Sequence, residues 1–346
     1  MYCRNVIFSN APLLKAIRYR NLFQLVPFFY FSKAPFCPYA SHFPIFLEFQ
    51  VEDGCEEILP TEDFLRKKGI SEDAIKHGRT IPQETRVKRE ILHLLSTLTN
   101  FHFFEYGGGC DNWGIQMPMK DVKSLSIEEI DDLNNQTTHW TLRSYCYPGI
   151  ADDLKILSFT NCNEYYEAVD SSRDYFTVNP NLDNNPEIKI PPYLYYSFDR
   201  YYSLPSDERI VVRQCIGLLY EGVELFDTKR SVSLLSIISS IEGMAKLDLK
   251  KYGNGEKMKP TARFLRYLKT YVAGKSEDKY KIYYQKRCDI THDGILFLGD
   301  LDLYGDIDKQ NEDWHLRLEI LQVARLAFYN WLRRKPLENN LLIVSR

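Results

Sequence analysis

Between Pro205 and Arg334, apolar residues recur at helical spacing in five successive segments, which restricts this part of the chain to an all-α bundle. Pro205-Ser206-Asp207-Glu208 supplies a capping Ser and first-turn acids, so a first helix is expected to run to about Phe226. Its apolar positions are 211, 215, 218, 219, 223 and 226. A second helix spans about Val232 to Leu249, with Leu235, Ile238, Ile241 and Ala245 on one face. Pro260 opens a third, where Leu265, Leu268 and Val272 turn inward. A fourth begins near Glu277 and ends near Gly294. The fifth covers about Glu312 to Arg334 on a stripe of Leu321, Ala324, Phe328 and Trp331.

The first half of the chain has a different texture, and 346 residues suit two domains. Residues 1–60 are rich in aromatics and Pro without a helical period, which predicts short strands and loops. Two short helices split at Gly69 are expected over Thr61–His77, and a clearer helix over Val87–Leu98. Strand-like pieces follow at Phe101–Phe104, Trp140–Tyr147, Lys155–Phe159 and Tyr175–Val178. The dense Asn, Asp and Pro of 179–192 read as a connector. The expected architecture is therefore an α+β domain over 1–190 and a five-helix bundle over 205–335.

Compartment and chemistry are bounded by a few absences. Leu22–Phe31 is apolar, but it contains Gln24 and Pro27 and is too short to span a bilayer, so it reads as buried strand or loop. No stable membrane association is expected. Eight Cys are scattered without a C-x2-C pairing, which argues against a zinc site and for a reducing, cytoplasmic setting. No metal and no cofactor is expected. A net charge of −3 gives no global attraction to nucleic acid, so any such binding needs a local patch.

One segment carries a chemical signal. Tyr283-Tyr284-Gln285-Lys286-Arg287-Cys288-Asp289-Ile290-Thr291-His292-Asp293-Gly294 places an Arg five residues before a His and follows them with Gly. Arg presents a planar fork of donors that matches phosphate oxygens. His exchanges a proton near neutral pH. On a straight helix the two lie about 140° apart, so they share one phosphate only if the helix distorts or ends between them, or if two copies meet. Tyr280, Tyr283, Tyr284, Ile290 and Ile295 form an apolar arc with Arg287 near its centre. A guanidinium there needs a partner or a groove, and Glu242 on the second helix is the candidate partner. Asp289 lies three residues before His292 and is a candidate to orient its imidazole. A purely structural Arg287–Glu242 pair, with His292 merely ending the helix, explains the same residues.

The segment resembles the R-x4-H motif of the HEPN superfamily, particularly its Apea-like branch, which reads aromatic-x-x-R-x4-H-x-G here. HEPN domains are small helical bundles, in agreement with the pattern read above. The resemblance implies a metal-independent endoribonuclease of the toxin or phage-defence kind, acting as a homodimer through the C-terminal bundle. Arg287 would hold the scissile phosphate and His292 would act as general acid or base. The resemblance covers about 130 residues, those of the bundle. Many active members carry Asn, Asp or His after the Arg, whereas this chain has Cys288, which favours the alternative of a non-catalytic module binding nucleotide, RNA or a protein partner.

A local basic run upstream of the motif would supply affinity for a phosphate backbone, and it also reads as the solvated face of the second to fourth helices. From Lys246 to Arg287 there are 13 Lys and Arg against 4 acids, and Lys279, Lys281 and Lys286 lie nearest the motif. Three other features are read as structural. Gly107-Gly108-Gly109 before Cys110 lacks a phosphate-loop pattern and reads as a tight turn. His93 falls on the apolar side of its helix. His139-Trp140 and the aromatic run Tyr193–Tyr202 are expected to pack rather than stack on bases.

Overall fold

Strands dominate the start of the chain because apolar side chains there alternate or run continuously without a helical period. The computed structural model describes residues 1–28, 43–51, 62–105, 112–114, 126, 128, 142–144, 156–169, 175–176, 187–253, 256–272, 276–302 and 304–334. It separates into two units. The first comprises Met1–Leu92, Phe103–Tyr166 and Asp183–Ile188; the second comprises His93–His102, Glu167–Leu182 and Lys189–Arg346.

In the first unit, β1 (Tyr2–Ser9), β2 (Ile17–Tyr19), β3 (Phe23–Pro27) and β4 (Phe43–Gln50) precede α1 (Glu62–Lys67) and most of α2 (Glu72–Leu98), and β5 (Phe103–Phe104) follows. They form an antiparallel sheet in the order β2-β3-β4-β1-β5, with Tyr2 opposite Gln50 and Ser9 opposite Phe43. The apolar stretch from Leu22 supplies β3, which is buried throughout. Two short strands, β6 (Asn112–Gly114) and β7 (Leu142–Ser144), pair in parallel. Glu48 is fully buried in the sheet, yet its carboxylate is well answered. Arg4 donates from Nε at 2.9 Å and Nη2 at 2.6 Å, Gln24 donates at 2.9 Å, and Thr160 donates through both its N–H and its hydroxyl. A buried charge is tolerated only with that degree of pairing.

Several local expectations change. α2 is one helix from Glu72 to Leu98 that continues through Pro82, in place of a helix ending by His77 and another starting at Val87. Residues 156–159 are not a strand, and Tyr175 and Phe176 are helical. The Gly107–Gly109 turn, Cys110 and His139-Trp140 lie outside the described residues.

The second unit is helical. After the end of α2 it contains α3 (Leu194–Tyr202), α4 (Ser206–Glu224), α5 (Arg230–Tyr252), α6 (Pro260–Tyr271), α7 (Glu277–His292), α8 (Leu298–Leu301) and α9 (Ile307–Arg333). The five expected helices are α4, α5, α6, α7 and α9; α3 and the single turn α8 add to them. Pro205, not Ser206, occupies the N-cap of α4, and no side chain caps that end. α9 starts at Ile307, five residues before its expected start at Glu312, because Asp306 caps it by accepting from the Lys309 N–H at 3.1 Å.

α4 and α5 run together closely enough that side chains are excluded at two points. A Cβ on Gly222 would lie 2.6 Å from Ile237 Cγ1, and one on Gly243 would lie 2.5 Å from Cys215 Sγ. Ser233 and Ser240 hydroxyls donate across this seam to the carbonyls of Gly222 and Cys215, at 2.6 and 2.7 Å. α9 packs on α3, α4, α5, α6 and α8, and α7 packs on α5 and α6. No helix among the described residues is long and apolar enough to cross a membrane.

Arg325 on α9 is 3% exposed and donates from Nε to Ser96 O at 3.0 Å and from Nη1 to Asn100 O at 3.3 Å. Burial lowers its pKa to about 10 and Tyr175 opposes that, so the guanidinium stays charged against the carbonyl end of α2. Arg325→Met removes both donors while keeping the volume. It is expected to cost about 2–4 kcal/mol in denaturant unfolding. A loss below about 1 kcal/mol would show that the end of α2 is held by something else.

Candidate functional site

α7 is defined at both ends by its own sequence. Ser276 caps it by accepting from the Lys279 N–H at 3.3 Å, and Glu277 and Asp278 stand in its first turn. At the far end Gly294 takes φ +68°, and the N–H groups of Asp293 and Ile295 both donate to Asp289 O, at 3.2 and 3.0 Å. A left-handed residue is the ordinary way to stop a helix, and Gly adopts it without steric cost. Tyr280, Tyr283, Tyr284 and Ile290 are buried on the inner face, while Ile295, expected on that arc, is 59% exposed beyond the helix end.

Arg287 projects from the edge of this buried face. Its side chain is 26% exposed and its Nη2 lies 3.7 Å from Oε2 of Glu242, whose side chain is 17% exposed. Arg287 thus faces Glu242, and the pair is not sealed from water. Tyr284 links the two residues. Its hydroxyl donates to Glu242 Oε1 at 3.1 Å, and the guanidinium carbon sits 5.8 Å from its ring centre. Burial raises the Tyr284 phenol pKa, Thr261 opposes that, and Glu242 raises it further, so the phenol remains a donor at neutral pH. Arg287 Nη1 also donates to Thr291 Oγ1 at 3.4 Å, while the Thr291 hydroxyl donates back to the Arg287 carbonyl at 2.8 Å.

Neither contact to the guanidinium is short. Among the described residues most of its donor fork has no hydrogen-bond partner, while Tyr284, Glu242 and Thr291 constrain its orientation. Thr291 and Thr261 are additions to the expected set. Thr291 sits one helical turn after Arg287, a spacing that flags it. Thr261 comes from a different helix and carries no such signal.

His292 is the last residue of α7 and is exposed, with no hydrogen-bond partner among the described residues. Asp289 does not turn toward it; its Oδ1 accepts from Gln285 Nε2 at 2.7 Å. α7 is unbroken from Glu277 to His292, so the helix neither distorts nor ends between Arg287 and His292. One copy of the chain thus presents the two on directions about 140° apart.

The lysines nearest the motif face acids. Lys279 Nζ lies 3.0 Å from Glu319. Lys281 lies 3.3 Å from Glu277 and 3.2 Å from Asp278. Lys286 is half-buried and its charge acts on Asp313, whose carboxyl is raised by burial and lowered by Lys286. No group of three or more His, Cys, Asp or Glu able to hold a metal ion occurs among the described residues. No family model, no curated protein and no solved structure matches the chain.

The long, partly solvated contact bounds what Arg287 contributes to stability. Arg287→Ala is expected to cost about 1 kcal/mol or less, as partly solvated ion pairs do. A loss of roughly 3–5 kcal/mol, rescued by Arg287→Met with Glu242→Leu, would mean that the pair behaves as a buried one. Melting of wild type and these two variants decides.

Proposed function

We propose that the helical unit is a HEPN-like bundle and that the chain is a metal-independent endoribonuclease, as the likeness of Tyr283–Gly294 to the Arg-x4-His motif implies. One observation carries the reading beyond the motif. Arg287 is oriented by Glu242, Tyr284 and Thr291 yet keeps most of its donors open among the described residues, on the same helix as a solvent-facing His five residues later. In this mechanism Arg287 binds the scissile phosphate and stabilises the charge that develops there. His292 exchanges the proton, either from the ribose 2′-OH or to the leaving 5′-oxygen. The O2′–P bond forms as the P–O5′ bond breaks, giving a 2′,3′-cyclic phosphate and a 5′-hydroxyl. The requirement for O2′ selects RNA over DNA.

In this reading the divergence of Arg287 and His292 on α7 is met by a homodimer through the C-terminal bundle, in which the Arg of one copy and the His of the other face one phosphate. Single-stranded or looped RNA fits, because its scissile linkage can be turned toward both groups. The N-terminal unit then senses a trigger or restrains the bundle, as suits a cytoplasmic toxin or antiviral defence protein.

A second reading is a non-catalytic module that binds RNA, nucleotide or a protein partner. The Arg287–Glu242 contact favours it, since a carboxylate beside the guanidinium competes with phosphate. Cys288 after the Arg favours it too.

Purified protein in EDTA is expected to cleave single-stranded RNA and leave cyclic phosphate ends, and His292→Ala is expected to abolish cleavage with little change in melting temperature. Equal cleavage by wild type and His292→Ala, or an absolute need for Mg²⁺, would contradict the mechanism.

A further inference from the structure

Nine of the 13 basic residues between Lys246 and Arg287 fall into two sets once partners are known. Lys251, Arg266, Lys269, Lys279 and Lys281 lie against Glu208, Asp248, Glu277, Glu319 and the Glu277–Asp278 pair respectively. Each of these charges is answered by a neighbouring carboxylate. Lys246, Lys250, Lys257 and Lys259 are exposed and have no acid within ion-pair distance among the described residues.

Two of the four lie along α5 from the candidate site, and two lie just before α6. Glu242, Lys246 and Lys250 are successive i, i+4 positions and so share one side of α5, rising about 12 Å from the Glu242–Arg287 pair. Beyond the end of α5, Lys257 and Lys259 lead directly into α6, with Lys259 at its N-cap. The start of α6 returns to the site, because Thr261 interacts with the Tyr284 phenol and the Phe264 ring lies 5.2 Å from that of Tyr284. Asp248 is buried, so Glu256 is the one exposed acid among the described residues of this stretch, against four cations.

We propose that Lys246, Lys250, Lys257 and Lys259 are the track for the phosphates that flank the scissile linkage of a single-stranded RNA, in place of the α7 lysines. This rests on the RNA-cleaving reading and deepens it. Long-chain cations held in water on α5 and before α6, the two helices that pack on α7, supply affinity without sequence preference, and each phosphate they neutralise releases a counterion. The track thus predicts weak sequence preference and strong salt dependence.

The test separates the track from the chemistry. Binding is measured from low to moderate salt with a 2′-O-methyl oligoribonucleotide, which lacks the attacking hydroxyl and remains intact. Cleavage is measured separately on unmodified RNA. The variant Lys246→Gln with Lys250→Gln, Lys257→Gln and Lys259→Gln is expected to reduce the slope of log K against log salt by about 2–3, at roughly 0.7 per lost contact. Its melting temperature should match wild type, since all four changes are on the surface. Lys279→Gln with Lys281→Gln should leave the slope unchanged. If the fourfold variant keeps the wild-type slope while wild type cleaves RNA, the track is wrong and the nuclease stands. If it loses the slope while wild type cleaves nothing, the track stands and the catalytic reading falls. Absence of salt-dependent binding by wild type overturns the track whatever the cleavage result.

Discussion

Arg325 is a charge buried among helices and held by backbone carbonyls, and much of the helical unit is organised around the helix that bears it. The carbonyl end of a helix is one of the few places where a guanidinium can be buried without a carboxylate, because several acceptors and the helix dipole converge there. By engaging Ser96 and Asn100, Arg325 joins α9 to the last turns of α2. Around the rest of α9 are α3, α4, α5, α6 and α8, and α5 and α6 in turn carry α7. A second buried cation, Arg317, is held in a similar way: it donates to the Phe226 carbonyl and lies 4.4 Å over the Phe226 ring. The candidate site is thus at the end of a chain of supports, on a helix whose inner face is fixed by tyrosines.

That support has a chemical consequence. α7 is unbroken, so the separation of Arg287 and His292 is a property of the helix rather than of side-chain choice. A loop could have bent to bring both to one phosphate; a packed helix cannot without losing its hydrogen bonds. In the proposed nuclease each copy therefore carries two half-sites. Glu242 and Tyr284 hold one half in place, and the Gly294 stop leaves the other at the solvent-facing tip.

Helical period makes α4, α5, α6, α7 and α9 legible in the sequence, and Pro260 and Gly294 mark a start and a stop. α3 has the same period, since Leu194, Ser197, Phe198 and Tyr201 are its buried positions. Its signal is masked by the tyrosines on its outer face and by its entry through Tyr193, a non-glycine residue at φ +63° whose ring lies 4.2 Å from the Arg333 guanidinium. α2 reads as two pieces because Pro82 counts against a helix interior, and local propensity gives way there. Glu48 has no sequence signal at all, since the Arg, Gln and Thr that answer it lie on other strands and a distant loop. The lysines show the same limit. Their charges are visible in the sequence, but Glu319 and Glu208, which neutralise Lys279 and Lys251, are brought to them only by the fold.

In the proposed mechanism RNA cleavage requires Arg287 of one copy to work with His292 of another. Mixing an Arg287→Ala chain with a His292→Ala chain, each inactive alone, tests this directly. In a randomly assembled dimer about half of the molecules are mixed, and each mixed dimer holds one intact site, so RNA cleavage should recover to about a quarter of wild type. No recovery, with mixed dimers demonstrated in the same sample, would contradict a composite site.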